Sequence, residues 1–173
     1  MRALDVWKAV TMDRSDLLEQ VIGLLHELGI HYCVVGGQAV NAYVEPLVSL
    51  DLDLVVAAEQ LESLESHLGG RFRVEPFPHS LNVSQAGSDL RIQVQTDPRY
   101  AQFLEHATER NVLGTIMPVA GVEDVLQGKV WAAIDAARRP SKRQKDLADI
   151  ARLLEKFPDL RARVPPEILA RLV

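Results

Sequence analysis

Cysteine is almost missing from this sequence: Cys33 stands alone among 173 residues. A single thiol excludes a disulfide framework within the chain. Its place in an apolar run predicts a buried core thiol. No apolar stretch approaches the ~20 residues that a membrane-spanning helix needs. The N-terminus has no basic region followed by an apolar one, so no signal peptide and a cytoplasmic location are expected. Basic excess is missing too. The formal net charge is −5, which argues against broad, sequence-independent binding to duplex DNA while leaving room for a local basic patch. His26, His31, His67, His79 and His106 are scattered without metal-ligand spacing, which argues against zinc. There is no nucleophile elbow to support Ser-His-Asp chemistry. Repeats and low-complexity segments are also lacking.

What is present suits one folded unit. Hydrophobic residues make up 47% and charged residues 25%, the ordinary balance of a globular chain. Leu17, Leu18, Val21, Leu24, Leu25 and Leu28 recur at helical spacing, predicting a helix over 13–28. Asp13 or Ser15 would cap it and Gly29 would stop it. Val6 and Val10 suggest a short helix before it. The β-branched run from Ile30 to Val35 predicts a buried strand. It ends on Gly36-Gly37, and a short helix follows over 38–44. Leu50 to Val56 reads as a second strand.

A helix over 59–68 is closed by Gly69-Gly70. Strands follow over 71–74, 80–84 and 90–96, with Gln85 to Ser88 turning the last two into a hairpin. In the last strand Leu90, Ile92 and Val94 point one way, and Arg91, Gln93 and Gln95 the other. Asp97-Pro98 predicts a helix start, continued over 99–109. Ile116, Pro118 and Val119 suggest a final strand. Helices are predicted over 122–137 and 142–156, and Pro158, Pro165 and Pro166 break up the tail. Trp7 and Trp131 read as packing residues. The expected fold class is α/β (α+β): a mixed sheet flanked by helices, with a C-terminal helical part. Residues 1–120 would form the core and 121–173 a helical segment packed on it.

Three features carry the chemistry. Gly36-Gly37 lies between a strand and a helix. Glycines there let backbone approach a ligand and present helix N–H groups to a phosphate, or they simply end a strand for steric reasons. Asp51 and Asp53 are two apart on a strand, so both carboxylates share one face, roughly 7 Å apart. Such a pair repels itself unless a cation intervenes, which suits a divalent metal; the other reading is a charged edge strand. Finally, Lys142, Lys145, Asp146 and Asp149 share a helix. They form either i,i+4 ion pairs or a basic surface for phosphates, which Lys129 on the preceding helix would join.

The run VVGGQAVNAYVEPLVSLDLDLVV, residues 34–56, resembles the signature of the DNA-polymerase-β-type nucleotidyltransferase superfamily. The interval of 14 residues from Gly37 to Asp51 fits that signature. The helices VEDVLQGKVWAAIDA and KRQKDLADIARLL resemble those of its stand-alone, AbiEii-like toxin branch. This resemblance implies transfer of a nucleoside monophosphate from an NTP to an acceptor that is an RNA, a protein or a small molecule. It also implies an antitoxin-like protein partner. Gly36 and Gly37, with Ser49, Lys129, Lys142 and Lys145, would bind the nucleotide. Asp51 and Asp53 would be catalytic and hold Mg²⁺ or Mn²⁺.

The family places a third carboxylate on a later strand, where this chain has Gln93. Glutamine offers a neutral oxygen and cannot act as a general base. Asp89 and Asp97 flank that strand as substitutes. A second departure is Leu47, which stands where relatives carry an arginine. The alternative function is therefore a catalytically impaired fold that binds nucleotide or a protein partner.

Overall fold

A computed structural model of the chain describes residues 5–6 and 16–172. Trp7, Val10, Asp13 and Ser15 lie outside the described residues. Helix α1 spans Leu17–Glu27 and buries Leu17, Leu18, Val21, Leu24 and Leu25, the stripe its spacing predicted. It ends where Gly29 takes a positive φ of 62°. Strand β1 (Tyr32–Val35) is buried at every position. Helix α2 (Gly36–Tyr43) begins on the glycine pair itself rather than two residues later. Strand β2 (Asp51–Val56), helix α3 (Leu61–Gly69) and strands β3 (Arg73–Phe77), β4 (Ser80–Ser84) and β5 (Arg91–Gln95) follow.

The segment after β5 departs from expectation. Asp97 does cap a helical start, accepting a hydrogen bond from the Arg99 backbone N–H at 2.9 Å. The turns over Pro98–His106 are 3₁₀, however, and Thr108–Val112 forms strand β6 instead of extending the helix to Glu109. Strand β6 pairs with β7 (Thr115–Val119) as an antiparallel hairpin. Leu113 and Gly114, both at positive φ, make its turn, and the Asn111 side chain accepts from the Gly114 N–H. Pairing with β7 gives the β6 backbone partners that an isolated helical end would lack. Helices α4 (Val122–Ile134), α5 (Pro140–Lys156) and α6 (Pro166–Leu169) complete the order.

The seven strands form one mixed sheet in the order β3-β4-β5-β2-β1-β7-β6. Strand β2 runs antiparallel to β1 and parallel to β5, which places Asp53 beside Gln93 and Asp51 beside Arg91. The alternation in β5 appears in its burial: Ile92 and Val94 are enclosed while Arg91 is exposed. Paired residues share a face. One face of β2, β4 and β5 therefore buries Leu52, Leu54, Leu81, Val83, Ile92 and Val94. The opposite face carries Asp51, Asp53, Asn82, Arg91, Gln93 and Gln95. No helix among the described residues is long and apolar enough to cross a membrane.

Phe103 links the 3₁₀ turns to α4. It is fully buried and stacks on Trp131, with ring centroids 5.7 Å apart and planes 7° apart. Tyr100 meets both rings edge-on. Trp131 is thus a packing residue. Phe103→Ala should cost about 3–5 kcal/mol of unfolding free energy and shift Trp131 fluorescence. Urea denaturation followed by that fluorescence measures both effects; an unchanged midpoint would contradict the stacked core.

Candidate active site

The site begins where β1 turns into α2. Gly36 has a φ of 68°, a region that favours glycine, and the Asp53 carboxylate occupies the space where a Cβ would lie. The glycine is therefore required by a carboxylate as well as by a turn. Gly37 leaves a gap of another kind: a Cβ there would touch the Ser49 hydroxyl at 3.5 Å. Ser49 itself donates to the Asp51 carbonyl at 3.3 Å.

Asp51 is the more exposed acid. Lys142 on α5 reaches its Oδ2 at 3.3 Å, and Arg91 Nε lies 3.9 Å from its Oδ1. Asp53 is deeper. Burial pushes its carboxyl up to about 6, with Lys129 pulling down, Asp51 pushing up, and Arg138 and Lys142 pulling down. Gln93 stands next to Asp53 in the parallel ladder. The neighbour of Asp53 on that face is therefore an amide. Asp97 gives its carboxylate to Arg99, at 2.9 and 3.0 Å, while Asp89 lines a cleft that Asp51 and Asp53 also line.

The basic helix faces the site, but its acids do not pair as the i,i+4 spacing suggested. Asp146 is 1% exposed and accepts from Lys129 on α4 at 3.1 Å and from Arg138 Nε at 2.9 Å. Asp149 accepts from Lys129 at 2.8 Å and from Arg152 at 2.7 Å. Burial alone would lower the Lys129 ammonium, yet Asp149 and Asp146 outweigh it and hold it above its ordinary range. The reason is topological. α4 and α5 pack side by side, so the inward acids meet Lys129 before they meet their own helix neighbours. Lys142 is thereby free of Asp146 and turns to Asp51. Lys145 is exposed at the rim.

Two clefts meet at the acid pair. The larger, about 560 Å³, runs from Gly36, Asp51 and Asp53 past Gln93 to the β3–β4 hairpin, under Arg138, Arg139 and Lys142. The smaller, about 290 Å³, lies toward Gly37, Ser49 and Lys145. The structure thus brings together Gly36, Gly37, Ser49, Asp51, Asp53, Gln93, Lys129, Lys142 and Lys145. Sequence reasoning missed Arg138, Arg139, Asp124 and Asp135, which also line the larger cleft. Only their clustering just before the Lys142 helix hinted at Arg138 and Arg139. Among the described residues, no group of three or more His, Cys, Asp or Glu side chains converges as a metal nest. The donors present are two carboxylates and one amide oxygen on a single face. That set suits a hard divalent cation whose remaining ligands come from phosphates and water.

Comparison of folds agrees with this geometry. The antibiotic-resistance factor ANT(2'')-Ia superposes with a TM-score of 0.60 at 19% identity, over 88% of this chain and 92% of that one. The lincosamide antibiotic adenylyltransferase LnuA, bound to lincomycin, gives 0.56 at 12%, over 80% and 97%. An antigenic nucleotidyltransferase-like protein from Paracoccidioides brasiliensis gives 0.53 at 20%, over 87% and 76%. This is the nucleotidyltransferase fold. No family model matches the sequence, and no curated protein matches it. The fold was read correctly from residues 34–56, since the glycine turn and paired acids stand where that reading put them.

The raised Asp53 carboxyl has a measurable consequence. The folded state holds the Asp53 proton up to about pH 6, whereas the unfolded chain releases it near the ordinary 3.8. Between these values the folded state binds more protons, so stability falls as pH rises through that window. Above it the ionised carboxylate carries a constant cost, on the order of 2–3 kcal/mol at 1.36 kcal/mol per unit. In chelator-treated protein, Asp53→Asn should raise Tm at pH 8 and leave it unchanged near pH 3.5. An equal effect at both pH values would refute the buried ionisation.

Proposed function

We propose that this chain is a metal-dependent nucleotidyltransferase. It moves a nucleoside monophosphate from an NTP to a hydroxyl of an acceptor and releases pyrophosphate. One observation supports this most: Asp53 sits against the Gly36 turn, with Asp51 beside it, in a cleft also lined by Arg138 and Lys142. Acids that bind a cation and cations that bind phosphates face each other across a space of nucleotide size.

In this reading Gly36 and Gly37 give backbone N–H groups to the triphosphate, helped by Ser49. Lys142 leaves Asp51 for the phosphates, and Arg138 and Lys145 neutralise the leaving pyrophosphate. Lys129 acts from beneath, through Asp146 and Asp149. Asp51 and Asp53 would hold Mg²⁺ or Mn²⁺, which supplies charge neutralisation at the triphosphate. Gln93 accepts a hydrogen bond from the acceptor hydroxyl and so orients it, without taking its proton, which passes to solvent water as the new P–O bond forms and pyrophosphate leaves. The helical segment after residue 120 supplies the basic wall, and residues 1–120 the acids.

The acceptor class is drawn from two sources. ANT(2'')-Ia has been seen with adenylyl-2''-tobramycin and LnuA with lincomycin, which supports a small-molecule acceptor. The AbiEii-like features of the sequence add RNA and protein hydroxyls, and an antitoxin-like partner. A second reading, favoured specifically by Gln93 beside Asp53, is nucleotide binding without transfer.

Calorimetric titration with each NTP should give Mg²⁺-dependent binding that the Asp51→Ala/Asp53→Ala double variant loses by about a hundredfold or more, the loss expected for two charge-assisted ligands. Absence of binding under every condition would reject the proposal. Pyrophosphate release assayed with Gln93→Asp separates the two readings. Turnover gained only in that variant favours binding without transfer, and turnover already present in the parent favours the transferase.

A further inference from the structure

The larger cleft is divided by polarity. At its inner end lie the acids, with Arg91, Arg138 and Lys142. Its outer half is the polar face of β4 and β5, where Ser80, Asn82, Gln93 and Gln95 are neutral and His79 stands at the hairpin end. Ladder pairing sets these side chains in rows: Gln93 and Asn82 between Asp53 and the exposed Glu75 in one, and Gln95, Ser80 and Phe77 in the next. Amides and hydroxyls suit sugar hydroxyls and base edges, while offering phosphates no charge.

Two observations single out this outer half. Phe77, at the end of the edge strand β3, is 47% exposed and lines the cleft, although the buried Phe72 and Phe103 sit in the core. Leaving an aromatic ring in water forfeits the stabilisation that burial would give it. In addition, the Asn82 carbonyl oxygen is buried without a hydrogen-bond partner among the described residues. An unmatched buried acceptor is costly unless something donates to it. Between β3 and β2 lie three strand spacings, roughly 14 Å, leaving room for a sugar and a base between the ring and the acids.

We infer that the polar face of β3, β4 and β5 is a nucleoside subsite: Phe77 stacks on a nucleobase, and Asn82 accepts a hydrogen bond from the base or ribose. This rests on the nucleotidyltransferase reading of the inner end. The ring that stacks belongs either to the NTP or to the terminal nucleotide of an RNA acceptor. The chemistry of recognition is the same for both.

The test compares the parent with Phe77→Ala and Phe77→Trp, each checked for an unchanged Tm. Three probes are titrated with Mg²⁺: the best-binding NTP, inorganic tripolyphosphate, and a mixed-sequence 12-nucleotide single-stranded RNA. If the subsite takes the NTP base, Phe77→Ala weakens the NTP by at least about fivefold and leaves tripolyphosphate unchanged. If it takes an acceptor base, the RNA weakens instead and the NTP does not. In Phe77→Trp the new indole is quenched by whichever probe stacks. Equal NTP and RNA affinities in the parent and Phe77→Ala, with no quenching, overturn the subsite while tripolyphosphate binding leaves the inner site standing. Failure of the parent to bind tripolyphosphate, with Phe77-dependent RNA binding intact, overturns the triphosphate reading and keeps the subsite. Failure to bind any probe overturns both.

Discussion

The site depends on one buried ammonium. Lys129 sits between Asp146 and Asp149, and these acids are shared with Arg138 and Arg152. Each charge is paired, as burial demands, since an unpaired ion there would cost several kcal/mol. The cluster fixes how α4 lies against α5. Further along, α5 is tied to α2 and the loop after it: Arg152 extends to the Asn41 side chain and the Glu45 carbonyl, and Lys156 to the Tyr43 carbonyl. Because these acids are spoken for, Lys142 is left to face Asp51. The basic wall is therefore a product of helix packing, and the lysines alone would not have built it.

The second constraint is spatial. Asp53 and the Gly36 turn compete for the same volume, and only the missing Cβ resolves it. The outcome is a half-buried carboxylate held close to backbone and reluctant to ionise without a cation nearby. Asp51, two residues earlier, stays nearer to solvent and to Lys142. The same strand thus presents two half-buried acids, one packed on backbone and one facing Lys142. Their differing environments, more than their spacing, separate what each can do.

Much of this was legible from particular residues. LRIQVQT announced a two-faced strand by its alternation, and the ladder with β2 put Gln93 beside Asp53. The helical stripe of α1 and the hairpin at Gly87 were likewise readable, because they rest on local periodicity and turn chemistry. The β6–β7 hairpin was not. Its Leu113-Gly114 turn is a weak signal, and the polar run before it fits a helix as well as a strand exposed at the sheet edge. The i,i+4 spacing of α5 left ion pairs and a basic surface both open, for a different reason. Spacing on one helix says which side chains are neighbours, and nothing about a lysine arriving from the helix packed against it.

The sequence by itself determined the glycine turn, the two acids on one strand face and the amide side chain of Gln93 on the next strand. These follow from chain-local rules: left-handed φ at glycine, a two-residue side-chain period, and the identity of a single residue. Tertiary structure decided which cation meets which acid, that Arg138 and Arg139 join the cleft, and that Phe77 lies at its far end. Those facts depend on pairing between segments as distant as Asp51 and Lys142. Local preferences leave such pairings open, and only simultaneous burial of the apolar sheet face and the helix stripes selects one.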